Sequence, residues 1–352
     1  MNVTVAFLET AEQLKQFNFS NKSKYLILCT QNSKIDLDVL NSFEVEYYGA
    51  IFPKLIFKNK IVEDGYLICK LNGNVHIEFI EDMIDYQFSN SRLGEFNTLI
   101  TIIDGMSDYN TSFLENMFEY TNLNSTIIGG GAGSLEKNKK YLFNSKGFYE
   151  NSSIIVMIDN NIDIGISEGW QVLDGPFVVT SSKGKLLEEL DYKSAFDLYK
   201  TTIEKDLGRK VEVENFYTLM KDYPLGILKN DEKYILRDPI SFQKESLYLA
   251  GDIENNSVIN ILKARESDLL ESTANTRSQV LKSGAKHLMI FECVSRLEYL
   301  TVNSYSKQLR ELNKCETIKS VFGVVSIGEI ANSGEKYIDL LNKSCVIGGI
   351  CH

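Results

Sequence analysis

The chain has 352 residues, 43% of them hydrophobic and 24% charged, with a net charge of −11. That composition is ordinary for a globular protein long enough for two domains with sizeable cores. The acidic balance argues against non-specific binding to nucleic acid or to an anionic membrane.

The start, MNVTVAFLETAEQL, has no basic region followed by a long apolar run, so it does not read as a signal peptide. No apolar run approaches the roughly 18 residues a transmembrane helix needs, and a cytoplasmic location is expected. KYLILCT (Lys24 to Thr30) reads as a buried strand, followed by a helix with Ser33 as a candidate N-cap. EVEYYGAIFP is the next strand. GYLICKL and VHIEFIE flank Asn72-Gly73 and read as a hairpin. NTLITIIDG is a strand, with a helix near Thr111 to Tyr120. STIIGGGAG reads as a short strand ending in a glycine loop, and two further strands surround the Asp159-Asn160-Asn161 turn.

A boundary is expected near Leu190 to Ser194, giving domains 1–191 and 192–352. Beyond it lie two helical stretches, SAFDLYKTTIEKDLG and EVENFYTLMKDYP, the second stopped at Tyr223-Pro224. PLGILK, EKYILRDP, SLYLAGDI and SVINILKA are separated by polar turns such as Asn230-Asp231 and predict an antiparallel meander. Asp238 in RDP is expected to fix a turn. Ser267 is a candidate cap for a helix ending near Gly284. HLMIFECVS is a strand, SYSKQLRELNK a helix, and VFGVVSIG and KSCVIGGI are the closing strands. No repeat appears at a period of 20–50 residues. The fold class is α+β: two domains whose mixed or antiparallel sheets pack together, with helices on the outer faces. Each half is expected to build its own sheet, because core strands apolar on both faces must be covered twice.

Six cysteines show no CxxC, and none of the three histidines (His76, His287, His352) stands at a metal-ligand spacing from one. The expectation is free thiols, no metal and no cofactor. Gly129, Gly130 and Gly131 match neither a dinucleotide nor a P-loop motif. Their bare backbone either approaches a ligand anion or lets strands pack closely. The strand around Leu288 to Val294 delivers Glu292 and Cys293, with Arg296 just beyond. Arg296 either pairs with Glu292 or binds a ligand carboxylate. Cys293 as a nucleophile needs a base, and His287 on the same strand is roughly 20 Å away. A pocket-lining thiol is the alternative, its pKa lowered by Arg296. Glu329 follows Gly328 at a strand end, with Asn332, Ser333 and Gly334 after it. Arg296 and Glu329 together could grip the carboxylate and ammonium of a zwitterion. The expected pocket therefore holds Cys293, Arg296, Glu329, Asn332 and the glycines 129 to 131.

The segments IIGGGAG, GFYENSSIIVMID, GISEGWQVLDGPFVVTSSKG, LDYKSAFDLY, DYPLGI, YILRDP, FECVSR and GEI…NSG…LLNKSCVIG, in that order, resemble the FIST family. Tyr48 to Gly65 departs from the Gly-Cys-Ser-type turn of many relatives. The resemblance implies a FIST N-terminal domain followed by a FIST C-terminal domain, forming a sensory input module for small ligands such as amino acids. In bacteria such domains accompany kinases, cyclic-dinucleotide enzymes and chemoreceptors. Since no output domain is visible, the module is expected to signal to a separate partner of that kind. Two alternatives stay open: an enzyme acting on a small metabolite through Cys293 or Glu329, and an adaptor without a ligand.

Overall fold

The computed structural model describes residues 2–135, 140–229, 234–332 and 337–351. Ser333, Gly334, His352 and the Asn230-Asp231 turn lie outside the described residues. The fold is α+β, with eight α-helices among the described residues and four sheets.

Three of the sheets have six strands each and share one plan. The first runs in the order Asn2–Leu8, Tyr66–Asn72, Lys24–Thr30, Glu46–Phe52, Leu142–Asn144, Gly147–Tyr149. The second runs Val75–Ile80, Ser153–Ile158, Thr98–Asp104, Thr126–Ala132, Glu329–Ala331, Asp339–Leu341. The third runs Asp163–Ser167, Cys345–Ile350, His287–Cys293, Ser320–Ser326, Lys54–Phe57, Lys60–Val62. In each, the two central strands are parallel over seven residues and all other neighbours are antiparallel. The parallel pairs are joined through helices, as parallel strands require a crossover.

The chain thus repeats one unit three times, and each unit lends a hairpin to another unit's sheet. The Lys54–Val62 hairpin of the first unit pairs with Ser320–Ser326 of the third. The Leu142–Tyr149 hairpin of the second pairs with Glu46–Phe52 of the first. The Glu329–Leu341 hairpin of the third pairs with Thr126–Ala132 of the second. The exchange closes a ring. Its period exceeds the 20–50 residues surveyed in the sequence, and the third unit carries a long insertion, so the repeat is hidden there.

The alternation of side chains along each strand supplies two apolar faces. At equivalent positions Leu26, Ile100 and Met289, and then Leu28, Ile102 and Phe291, point into one shared core. The opposite faces pack under helices. Leu288, Ile290, Val321 and Ile347 lie under Glu266–Val280 and Val302–Leu312, with Leu269, Tyr305 and Leu309 as the helical partners.

The fourth sheet is inserted in the third unit. It is antiparallel, in the order Tyr234–Arg237, Leu225–Leu228, Val258–Lys263, Gln171–Lys183, Leu186–Leu190, Ser246–Leu249, Pro239–Gln243. The helix Ala195–Leu207, capped by Ser194, covers it through Phe196, Tyr199 and Ile203.

Several expectations are corrected. The halves do not build separate sheets: the second, third and fourth each take strands from both sides of residue 191. Asn72-Gly73 is no hairpin, because the strands around it belong to different sheets. The inserted sheet is not a simple meander, since Gln171–Lys183 lies between Val258–Lys263 and Leu186–Leu190. Asp36, not Ser33, caps the helix Leu37–Asn41, and Ser33 holds the backbone of Gly65 instead. The helix Glu266–Val280 follows Arg265, so Ser267 lies inside it.

Candidate functional site

The residues expected to form the pocket are almost all closed off. Gly129, Gly130 and Gly131 are not a loop but lie within the strand Thr126–Ala132. Their backbone groups are engaged by the strands on either side. A Cβ on Gly129 would stand 1.8 Å from the carbonyl oxygen of Thr101, and one on Gly131 would stand 2.0 Å from that of Ile327. These glycines serve close packing, and no free N–H concavity is left for an anion.

Glu292 and Arg296 are both fully buried and form an ion pair at 2.6 Å. The Arg296 guanidinium also donates to Leu269 O at 3.1 Å and Thr273 Oγ1 at 2.9 Å, and Gln308 Nε2 donates to Glu292 at 2.7 Å. Arg296 is the third residue of the helix Val294–Tyr299, which follows the strand directly, so an i, i+4 spacing brings its head back to Glu292. Arg296 fastens the strand to the helix Glu266–Val280, and Gln308, through Glu292, fastens it to Val302–Leu312.

Glu329 lies on a different cluster. Its carboxyl accepts from Ser326 Oγ and Ser344 Oγ, each at 2.9 Å, and no described residue forms an ion pair with it. Burial, then the neighbouring Glu292 carboxylate, hold it well above the usual carboxylate range. Cys293 is beside it. The Lys343 N–H donates to its Sγ at 3.1 Å, and burial pushes the thiol up to about 12. The expected lowering by Arg296 does not occur, because desolvation dominates. His287 bonds Ser320 at 2.7 Å and His76 stacks near Phe96, so neither serves Cys293 as a base.

A third buried group was not legible as such in the sequence. Lys343, fully buried and in the left-handed region at φ 54°, places its Nζ 3.2 Å from Asp238. It also donates to Ser295 O at 3.3 Å, while Trp170 Nε1 donates to the Lys343 carbonyl at 3.0 Å. Burial raises the Asp238 carboxyl despite the ammonium. The neighbouring Arg237 donates to Leu340 O at 3.1 Å. Asp238 therefore does more than fix a turn: with Arg237 it locks the inserted sheet onto the three-unit ring. The only sequence signal is a lysine beside an apolar strand and an acid before proline, both common in loops.

The open space lies one strand-length away. A cleft of about 700 Å³ is walled by Leu123–Thr126, Ile162–Ile166, Glu168, Tyr234, Ile235, Lys229, Gln279, Asn332, Tyr337, Asp339 and Leu341. It forms where the second and third sheets meet and the inserted sheet overhangs. Asn332 is the one expected site residue that reaches it. Its amide is bound on both sides, accepting from Ile127 N at 2.7 Å and donating to Ser125 O at 2.6 Å, so it braces a wall. Among the described residues, the cleft is lined by three carboxylates, Asp163, Glu168 and Asp339, and by Lys229, whose Nζ stands 5.6 Å from the Tyr337 ring. Asp163, the first residue of the strand Asp163–Ser167, is not among the residues the sequence pointed to.

Among the described residues, no group of three His, Cys, Asp or Glu could hold a metal, and no helix is long and apolar enough to cross a membrane. The family described as FIST N domain matches residues 39–193, and that described as FIST C domain matches 195–332. No curated protein matches the chain in sequence.

Proposed function

From the premise that the chain belongs to the FIST family, whose domains are sensory domains of signal-transduction proteins, we propose that it binds a small, amine-bearing polar metabolite of the amino-acid kind and signals to a separate partner protein in the cytoplasm. The observation that carries this reading is the cleft of about 700 Å³ whose described walls carry three carboxylates and Lys229. Carboxylates hold an ammonium group, and Lys229 supplies the counterpart for a ligand carboxylate. Asn332 keeps its place in the site as the brace of the Ser125–Ile127 wall. Arg296 and Glu329 have no part in the grip. Kinases, cyclic-dinucleotide enzymes and chemoreceptors are the partner classes the family suggests.

The strands that line the cleft also supply a route for the signal. Tyr234–Arg237 brings Tyr234 and Ile235 to the ligand side and Arg237 and Asp238 to the lock, and Asp339–Leu341 runs on to Lys343. A ligand that favours one seating of the inserted sheet shifts the population of that seating.

The test is a thermal-shift and calorimetric screen of amino acids, simple amines and simple carboxylates. A ligand that binds the folded state raises the melting temperature and is returned unchanged. Asp163→Asn should weaken amine-bearing ligands about ten-fold or more, the worth of one charge-assisted hydrogen bond, and spare carboxylates that lack an amine. Conversion of the ligand to product would favour an enzyme, and a wild-type protein that binds none of the panel would sink the sensory reading of this cleft.

A further inference from the structure

The ring of three units generates three equivalent corners. Each is built from the start of one unit's third strand, the first strand of the following unit and that unit's exchanged hairpin. The large cleft is the corner of Thr126–Ala132, Asp163–Ser167 and the Glu329–Leu341 hairpin. A second corner is formed by Glu46–Phe52, Val75–Ile80 and the Leu142–Tyr149 hairpin. The third is formed by Ser320–Ser326, Asn2–Leu8 and the Lys54–Val62 hairpin.

One register position differs in character among the three corners. Phe57 pairs with Phe322, Asn144 with Tyr48 and Ala331 with Ile128, and the three pairs are equivalent. The residues that follow are Lys58, Ser145 and Asn332. At the third corner the Phe57 ring stacks on Phe7 at 5.2 Å. Where small or short polar residues stand, space remains: about 700 Å³ at the large cleft and about 270 Å³ at the second corner.

The second corner has its own chemistry. Tyr48 and Phe79 stack at 5.9 Å and form an aromatic wall. Glu81 stands at the rim, half exposed, with Lys146 at 3.5 Å and the Tyr149 hydroxyl at 3.4 Å. Glu46 is paired with Lys24 at 2.9 Å, so its charge is already balanced. A solvent-exposed pair such as Glu81 with Lys146 is weak and readily exchanged for a ligand ammonium. A ring face beside a carboxylate suits a cation carried on a flat apolar body.

We propose that this corner is a second binding site, for small aromatic amines, so that one chain carries two unlike sites at equivalent places of an internal repeat. Its lining shares no residue with the large cleft, and the two stand or fall separately.

Tyramine is the probe, titrated by calorimetry and ligand-observed NMR into the full chain and into Glu81→Gln, Tyr48→Leu and Asp163→Asn. The expected result is a saturable binding phase, weakened about ten-fold or more by Glu81→Gln and by Tyr48→Leu, that persists in Asp163→Asn, where only amine binding at the large cleft is weakened. 4-Methylphenol, which lacks the amine, should bind the wild type at least about ten-fold more weakly. Glu81→Gln alters a half-exposed surface group and leaves the fold intact, so it decides the matter if Tyr48→Leu proves unstable. No saturable tyramine binding, binding indifferent to Glu81→Gln, or binding lost only in Asp163→Asn each overturns the second site. The last of these leaves the large cleft standing. Tyramine binding that follows Glu81, with no amino acid bound by the wild type, supports the second site and removes the first.

Discussion

Two acids flank the same strand end and meet opposite fates. Glu292 sits in a complete cage, with Arg296, Gln308 and, through the guanidinium, Thr273 and Leu269 O. Glu329 is equally buried but is bonded by Ser326 and Ser344 with no cation among the described residues, and burial holds it far above its usual range. The lesson is that burial alone says little about a carboxylate's role. Its partner decides whether it is one half of an ion pair or a neutral hydrogen-bonding group.

The sharpest break of that contrast is Arg296→Met. It leaves Glu292 buried without its cation and should lower stability by about 3–5 kcal/mol, read from urea unfolding. An unchanged midpoint would mean the pair contributes nothing. Lys343→Met does the same to Asp238, which keeps slightly more exposure, and about 3 kcal/mol is expected. The loss should be accompanied by earlier proteolysis of the inserted sheet than of the ring.

Glu329→Gln should be mild by comparison, about 1 kcal/mol or less near pH 5, because a neutral group replaces a neutral one. Its pH dependence carries the information. A carboxyl whose folded pKa is raised binds its proton more tightly folded than unfolded. Its stabilising effect is whole below the unfolded value, about 4.3, and is lost as pH rises toward the folded value. The variant lacks that slope, so its stability relative to wild type should improve steadily from pH 4.5 to 7. A pH-independent difference would show that Glu329 ionises normally.

The smallest effect concerns thiols. Cys293, with its thiol pushed up to about 12, should resist iodoacetamide in the native state at pH 8. Cys315, partly exposed and lowered by the Thr317 hydroxyl, should be alkylated first. Peptide mass mapping that finds Cys293 modified first would reverse this assignment.

Strands were legible because apolar runs such as KYLILCT and HLMIFEC survive in any context, and their positions hold. What the strands pair with was not. The turn at Asn72-Gly73 carries a strong local signal, yet the choice of sheet is made by residues dozens of positions away. The glycines were misread as a loop because a residue without a side chain breaks the alternation by which a strand is recognised. Arg296 was legible as one of two possibilities, and its spacing from Glu292 could not by itself choose between them. The cleft was missed at Asp163 because its walls come from five separate stretches, none of which carries a motif.

The exchanged hairpins have a consequence for how the chain is made. Each unit completes its own sheet only when another has arrived, and the first waits for Ser320–Ser326 before the strand Lys54–Phe57 finds its neighbour. Much of the molecule's order therefore depends on pairings that span most of the sequence, which slows folding and leaves edges bare meanwhile. The boundary between the two family matches, at residue 194, cuts across the inserted sheet and separates two of the three exchanged hairpins, Lys54–Val62 and Glu329–Leu341, from the strands they pair with. Fragments divided there should not fold alone but should regain structure when mixed, each supplying the strands that the other lacks.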